Sequence, residues 1–135
     1  MKVEWFEQRW HEDYRRIGSF DTIPGLEGEI LVTHVPKDVI MGMHLHKKQT
    51  DCLVVIKGRI MVRLFSNKPG KRDEEKFVLS ENTHKTLIIP PNTWHGYKAL
   101  EDTILMYYIN RKYDEKNADE HRRRTTAKDW EIEIR

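Results

Sequence analysis

His44-Leu45-His46-Lys47-Lys48-Gln49-Thr50-Asp51, followed seven residues later by Gly58, carries the pattern from which the fold is predicted. Val39 to His46 alternates as a strand does, which predicts Ile40, Gly42, His44 and His46 on one face. Two histidines at i and i+2 then point to the same side. Asp51 opens a second β-rich run, Asp51 to Lys57, and can reach back toward them. Gly58 sits where a tight hairpin turns into Arg59 to Phe65. Far along the chain, Pro90-Pro91-Asn92-Thr93-Trp94-His95 carries a third histidine. A closed barrel would bring that histidine to the same cavity.

Working outward, strand follows strand. Glu29 to Val35 is β-rich, and Pro36-Lys37-Asp38 is a turn. Asn67-Lys68-Pro69-Gly70-Lys71 is another turn, and Phe77 to Leu79, Lys85 to Ile89 and Thr103 to Ile109 read as further strands. Many short strands at regular spacing predict a closed all-β barrel or sandwich. Residues 3–17 are ambiguous: Val3, Phe6, Trp10, Tyr14 and Ile17 recur at helical spacing, but a strand and a polar turn also fit. Residues 110–129 are charged and are expected to wrap the outside, while Trp130 to Ile134 alternates and is expected to dock as an edge strand. The organisation expected is one domain over residues 1–135, with a barrel core from about 29 to 110 and a charged tail over 111–135.

Composition narrows the function classes. The 24 basic and 22 acidic residues nearly balance, giving a net charge of +2, so bulk attraction to nucleic acid or membrane is not expected. The aliphatic run Leu53-Val54-Val55-Ile56 is far too short to span a bilayer, and the N-terminal residues lack the apolar stretch of a secretory leader. A single cysteine, Cys52, makes no intrachain disulfide, and a reducing, cytoplasmic location is the expectation.

The histidines support two chemistries. Three imidazoles and a carboxylate (His44, His46, Asp51 and His95) suit a divalent transition metal such as Fe, Mn, Ni or Zn. Without a metal, a pocket histidine can be a general base, because its ordinary pKa lies near neutrality. A lone histidine is usually an ordinary packed residue; the pairing with an acid and a distant third histidine favours function.

His-x-His, four residues, an acid, six residues and Gly resembles the first cupin motif, with Asp51 where Glu is usual. Pro90-x-Asn92-x-x-His95 resembles the second, with Asn92 where Gly is usual. The resemblance implies a cupin fold, a double-stranded β-helix or jelly-roll barrel. The longer runs Gly42 to Asp51, Ile89 to Tyr97 and Ile104 to Tyr108, spanning about residues 40–115, resemble the dTDP-4-dehydrorhamnose 3,5-epimerases and the sugar-nucleotide 3,4-ketoisomerases. That likeness implies a metal-independent isomerase, active as a homodimer, that moves protons beside the ketone of a dTDP-4-keto-6-deoxyhexose in deoxysugar or polysaccharide biosynthesis.

Carried over, His44 falls on the epimerase base, His46 on the second ketoisomerase histidine, and Tyr108 on the catalytic acid when counted without gaps from His95-Gly96. Asp51, Lys48, Arg59, Arg63, Trp94 and His95 are the expected substrate-binding residues, with Lys47 a further cation for the diphosphate. The pattern departs at three places. Met41-Gly42 stands where the epimerases have Arg-Gly, Asp51 stands where they have a pocket Lys, and the C-terminal Asp that orients their base is expected to be missing. The competing expectations are a metal-dependent cupin enzyme and a non-catalytic carbohydrate-binding cupin.

Overall fold

A computed structural model describes residues 1–68 and 73–131. The chain forms β1 (Arg9–Glu12), β2 (Ile17–Phe20), β3 (Glu29–Val35), β4 (Ile40–Leu45), β5 (Asp51–Lys57) and β6 (Arg59–Ser66). Then follow β7 (Glu74–Ser80), β8 (Leu87–Ile89), β9 (Thr93–Ala99), β10 (Thr103–Ile109) and β11 (His121–Arg122), with short 3-10 turns at Glu115–Asn117 and Ala127–Trp130. The strands make two antiparallel sheets, ordered β1-β2-β3-β10-β5-β8 and β11-β4-β9-β6-β7. After β3 the chain passes back and forth between the sheets, with only β6 and β7 consecutive in the second, the all-β jelly roll expected from the motifs. The segment read as ambiguous, residues 3–17, is strand and polar turn at its C-terminal end, because β2 pairs with β3 from Ile17↔His34 to Ser19↔Val32. The edge strand expected over Trp130 to Ile134 lies mostly outside the described residues, as does part of the turn after Asn67.

Alternate residues of each strand fill the space between the sheets. Leu31, Val35, Leu53, Val55, Ile60, Val62, Leu105 and Ala99 are all buried there. At one end the apolar filling gives way to His95 on β9 and Asp51 at the start of β5, both inward and buried. A second, smaller cluster lies on the other side of the second sheet: Met43, Met61 and Phe65, covered by Trp130 from the C-terminal segment.

Strand β4 does not alternate simply. Its register against β9 shifts between Met41 and His44. Met41, His44 and His46 all line the interior cavity, whereas Ile40 and Met43 pack toward Trp130. The expected single face of Ile40, Gly42, His44 and His46 is therefore corrected: the bulge resets the parity, and Met41 replaces Ile40 on the inner side. Two glycines permit it. Gly42 has φ 131°, and a Cβ there would lie 2.7 Å from the Gly96 Cα; a Cβ on Gly96 would lie 2.6 Å from the Met41 carbonyl oxygen.

Candidate active site

A cavity of about 490 Å³ opens at the histidine end of the sandwich, lined by His44, His46, Asp51, His95, Tyr97 and Tyr107 among others. Its size suits a small organic ligand. Two of the histidines are held by backbone carbonyls, and the third faces a carboxylate. The His46 Nδ1–H donates to the Asp119 carbonyl at 2.5 Å, and the His95 Nδ1–H donates to the Thr93 carbonyl at 3.0 Å. Both Nε2 atoms then face Asp51 Oδ2, each at 3.5 Å. Asp51 Oδ1 accepts from Gln49 Nε2 at 2.6 Å. The His44 Nδ1 lies 3.8 Å from Glu120 Oε1, which leaves Nε2 as the nitrogen on the opposite side of the ring. The rings of His44 and His46 stand 6.3 and 5.2 Å from that of His95.

These environments separate the charges. Burial lowers the His44 pKa to about 4, a fall that the Glu120 charge opposes and His95 reinforces, so His44 is neutral near pH 7. Burial acts the same way on His46, but the Asp51 carboxylate and the Asp119 carbonyl outweigh it and raise its pKa. Burial would raise Asp51, yet the hydrogen-bonding and charge of His46 and His95 hold it well below the usual carboxylate range. The cavity thus contains a neutral imidazole beside a second histidine whose protonated form the Asp51 carboxylate favours. Burial also pushes the Tyr107 phenol well above its ordinary value and the Tyr97 phenol up to about 12.

The charged C-terminal segment wraps the barrel as expected and also builds one wall of the cavity. The Asp119 carboxylate accepts the backbone N–H groups of Lys47, Lys48 and Gln49, at 2.9, 2.8 and 2.9 Å. Strand β11 pairs with β4, His121↔Leu45 and Arg122↔His44, which sets Glu120 beside His44. An acid from the C-terminal region, Glu120, therefore stands beside His44, where the sequence led us to expect no C-terminal Asp.

The four residues His44, His46, Asp51 and His95 come together as the motifs imply. Six other expected site residues, exposed Lys47 among them, do not line the cavity. Tyr108 lies on the outer face of β10 and donates to the Glu27 carbonyl at 2.7 Å, while Tyr107 takes the inward position. Lys48 is exposed, although its backbone N–H serves the Asp119 cap. Arg59 points outward to Glu101 at 3.3 Å. Arg63 is buried under the C-terminal segment, between Glu74 and Asp129. Trp94 packs on Phe65 and donates to Asn67 Oδ1 at 3.3 Å. Outward parity on β6 and β9 accounts for these last three. The cations at the cavity are instead Arg9, Arg15, Arg16, Arg111, Lys112 and Arg122. No sequence motif flagged Arg9, Arg15 or Arg16, because they reach the site only through the β1–β2 hairpin.

Comparison with known proteins agrees with this architecture. Residues 4–135 match the family described as dTDP-4-dehydrorhamnose 3,5-epimerase. The chain is similar to the probable low-salt glycan biosynthesis epimerase Agl13 of Haloferax volcanii, 32% identical over 106 residues that cover 71% of this chain and 68% of that protein. Among solved structures, the dTDP-4-dehydrorhamnose 3,5-epimerase from Sulfolobus tokodaii superposes with a TM-score of 0.60 at 30% identity, over 74% of this chain and 59% of that one. The capsular polysaccharide assembling protein CapF from Staphylococcus aureus gives a TM-score of 0.75 at 16% identity, over 87% of this chain and 32% of that one, a likeness of fold alone.

Proposed function

Because the chain belongs to the dTDP-4-dehydrorhamnose 3,5-epimerase family, we propose that it moves a proton at a carbon next to the ketone of a nucleotide-linked 4-keto-6-deoxy sugar, in polysaccharide biosynthesis. The observation that carries this reading is the half-buried, neutral His44 in one cavity with the inward phenol of Tyr107. His44 Nε2 takes the C–H proton, and the electron pair moves onto the ketone oxygen as an enolate. The imidazolium of His46, its charge sustained by Asp51, stabilises that developing negative charge and supplies the positive group that a pocket lysine would. Tyr107 returns a proton to carbon, its phenolate regains one from solvent, and His44 releases to solvent the proton it took. Burial keeps this phenol protonated until a strongly basic carbanion is present. Glu120 orients His44 and offsets the positive charge that it acquires.

One feature favours a second reading. Ligand atoms of His46, Asp51 and His95 lie within 4.8 Å of one another, and the carbonyls that accept from the two Nδ1–H groups leave each Nε2 to serve as a metal donor. These three residues fit a divalent transition metal, with His44 beside the group rather than in it. A metal bound there would supply Lewis-acid polarisation of the ketone. Proton removal by His44 would be the same in both cases.

The test is to incubate the purified protein with dTDP-4-keto-6-deoxyglucose in deuterated water and follow the sugar carbons by NMR. Deuterium entering C3 or C5 is expected. Substrate recovered without any exchange would contradict the proposal. Elemental analysis and chelation of the same sample separate the two readings: activity lost with one metal per chain would favour the second.

A further inference from the structure

Among the described residues, the buried side-chain atoms without a hydrogen-bond partner are Arg15 Nε, Arg16 Nε, Thr33 Oγ1, Ser66 Oγ and Tyr97 Oη. Arg15, Arg16 and Tyr97 line the same cavity. All three groups are donors. A guanidinium has no acceptor, and the Tyr97 hydroxyl keeps its proton throughout the physiological range. Buried donors with nothing to bond are costly, so a corner that gathers three of them is built for an acceptor that the protein does not itself provide.

The corner is fixed in place. Asp13 Oδ1 accepts the backbone N–H groups of Arg15 and Arg16 at 2.7 and 3.1 Å, which shapes the turn between β1 and β2. The Arg16 guanidinium stacks 5.0 Å above the Phe20 ring. Tyr97 pairs with Met41 on one side and Val62 on the other, and is 4% exposed. It follows His95 by two residues on β9, about 6.6 Å further along the strand. Of the nearby carboxylates, Asp13 is shared between His11 and one Arg15 nitrogen, Nη2, which leaves Arg15 Nε open, and Glu29 pairs with Arg9. The corner is therefore positive, rich in donors, and one layer away from the proton-transfer histidines.

We propose that Arg15, Arg16 and Tyr97 form a phosphoryl-binding corner that receives the diphosphate of the nucleotide sugar and so sets how far the sugar ring reaches toward His44. The assignment rests on the proposed sugar-nucleotide reading. Two guanidiniums suit a diphosphate, whose oxygens are multiple, anionic and acceptor-only. A sugar carboxylate offers the same chemistry from a second source, and the test separates the two.

Inorganic pyrophosphate and glucuronate are titrated calorimetrically into the full chain and its variants Tyr97→Phe, Arg16→Gln and Arg59→Gln. Arg59→Gln removes the same charge at an outward site. Pyrophosphate binding is expected to weaken at least tenfold in Tyr97→Phe and Arg16→Gln and to hold in Arg59→Gln. Tyr97→Phe is expected to melt at or above the wild-type temperature, because it deletes an unpartnered hydroxyl without moving the ring. Unchanged pyrophosphate affinity in Tyr97→Phe and Arg16→Gln would overturn the proposal. Equal weakening in all three variants, or binding of glucuronate in place of pyrophosphate, would overturn it too. Pyrophosphate bound as expected, without solvent exchange on a keto sugar, would instead remove the proton-transfer reading and leave the corner standing.

Discussion

At the scale of single residues, the histidines divide the work by their surroundings. His44 is neutral because burial lowers its pKa to about 4, whereas Asp51 raises that of His46. A base must be unprotonated, so with His44 as base kcat/KM should stay flat from pH 7 down to about 5 and fall only nearer pH 4. If His46 were the base, the acid limb would lie above the ordinary histidine value. Glu120→Gln removes the charge that raises His44, so its limb should move to lower pH and its rate should drop about tenfold. The paired tyrosines give a sharper contrast. Tyr107→Phe should lower kcat on the order of 10²- to 10³-fold, while Tyr108→Phe, on the outer face, should stay near wild type. The histidines were legible in the sequence because His-x-His fixes relative parity whatever the barrel does. The tyrosines were not, because Thr103 to Ile109 is almost wholly apolar on both faces. Its alternation therefore could not say which of Tyr107 and Tyr108 points inward.

At the scale of elements, the site depends on the close approach of β4 and β9. The strand limits of β3, β5 and β10 follow directly from the alternating pattern and its turn residues. The bulge in β4 does not, since it arises from a contact between Gly42 and Gly96, more than fifty residues apart. Gly96→Ala should cost about 2–3 kcal/mol in chemical denaturation, because the added methyl meets the Met41 carbonyl and the Met43 sulfur. The loop after β4 is held differently, by one carboxylate that takes consecutive backbone N–H groups. Asp119→Ala should destabilise by about 1–3 kcal/mol and also loosen His46, whose ring is fixed by the same residue's carbonyl. A higher KM along with the lower stability would mark that coupling.

At the scale of the whole molecule, the C-terminal segment is a working part of the barrel. Its charge made it read as an outer wrapping, and it does cross the outside, with Trp130 sealing Met43, Met61 and Phe65. Yet the same crossing delivers Asp119, Glu120 and Arg122 to the cavity. The N-terminal hairpin delivers Arg9, Arg15 and Arg16 from the other side. Neither contribution is visible locally, because both depend on which sheet edge each segment joins. Trp130→Ala should lose about 3–5 kcal/mol of stability, seen as a lower denaturation midpoint, and should lower activity by freeing the segment that carries Glu120.

The proposed reaction turns on proton removal by His44, and the rate of solvent deuterium entry into a 4-keto sugar nucleotide tests this most directly. The wild-type protein and His44→Asn, matched for folded fraction by circular dichroism, are compared under identical conditions. Exchange by the wild type, with a loss on the order of 10³-fold in the variant, is the predicted result. Exchange at an undiminished rate in His44→Asn would contradict it.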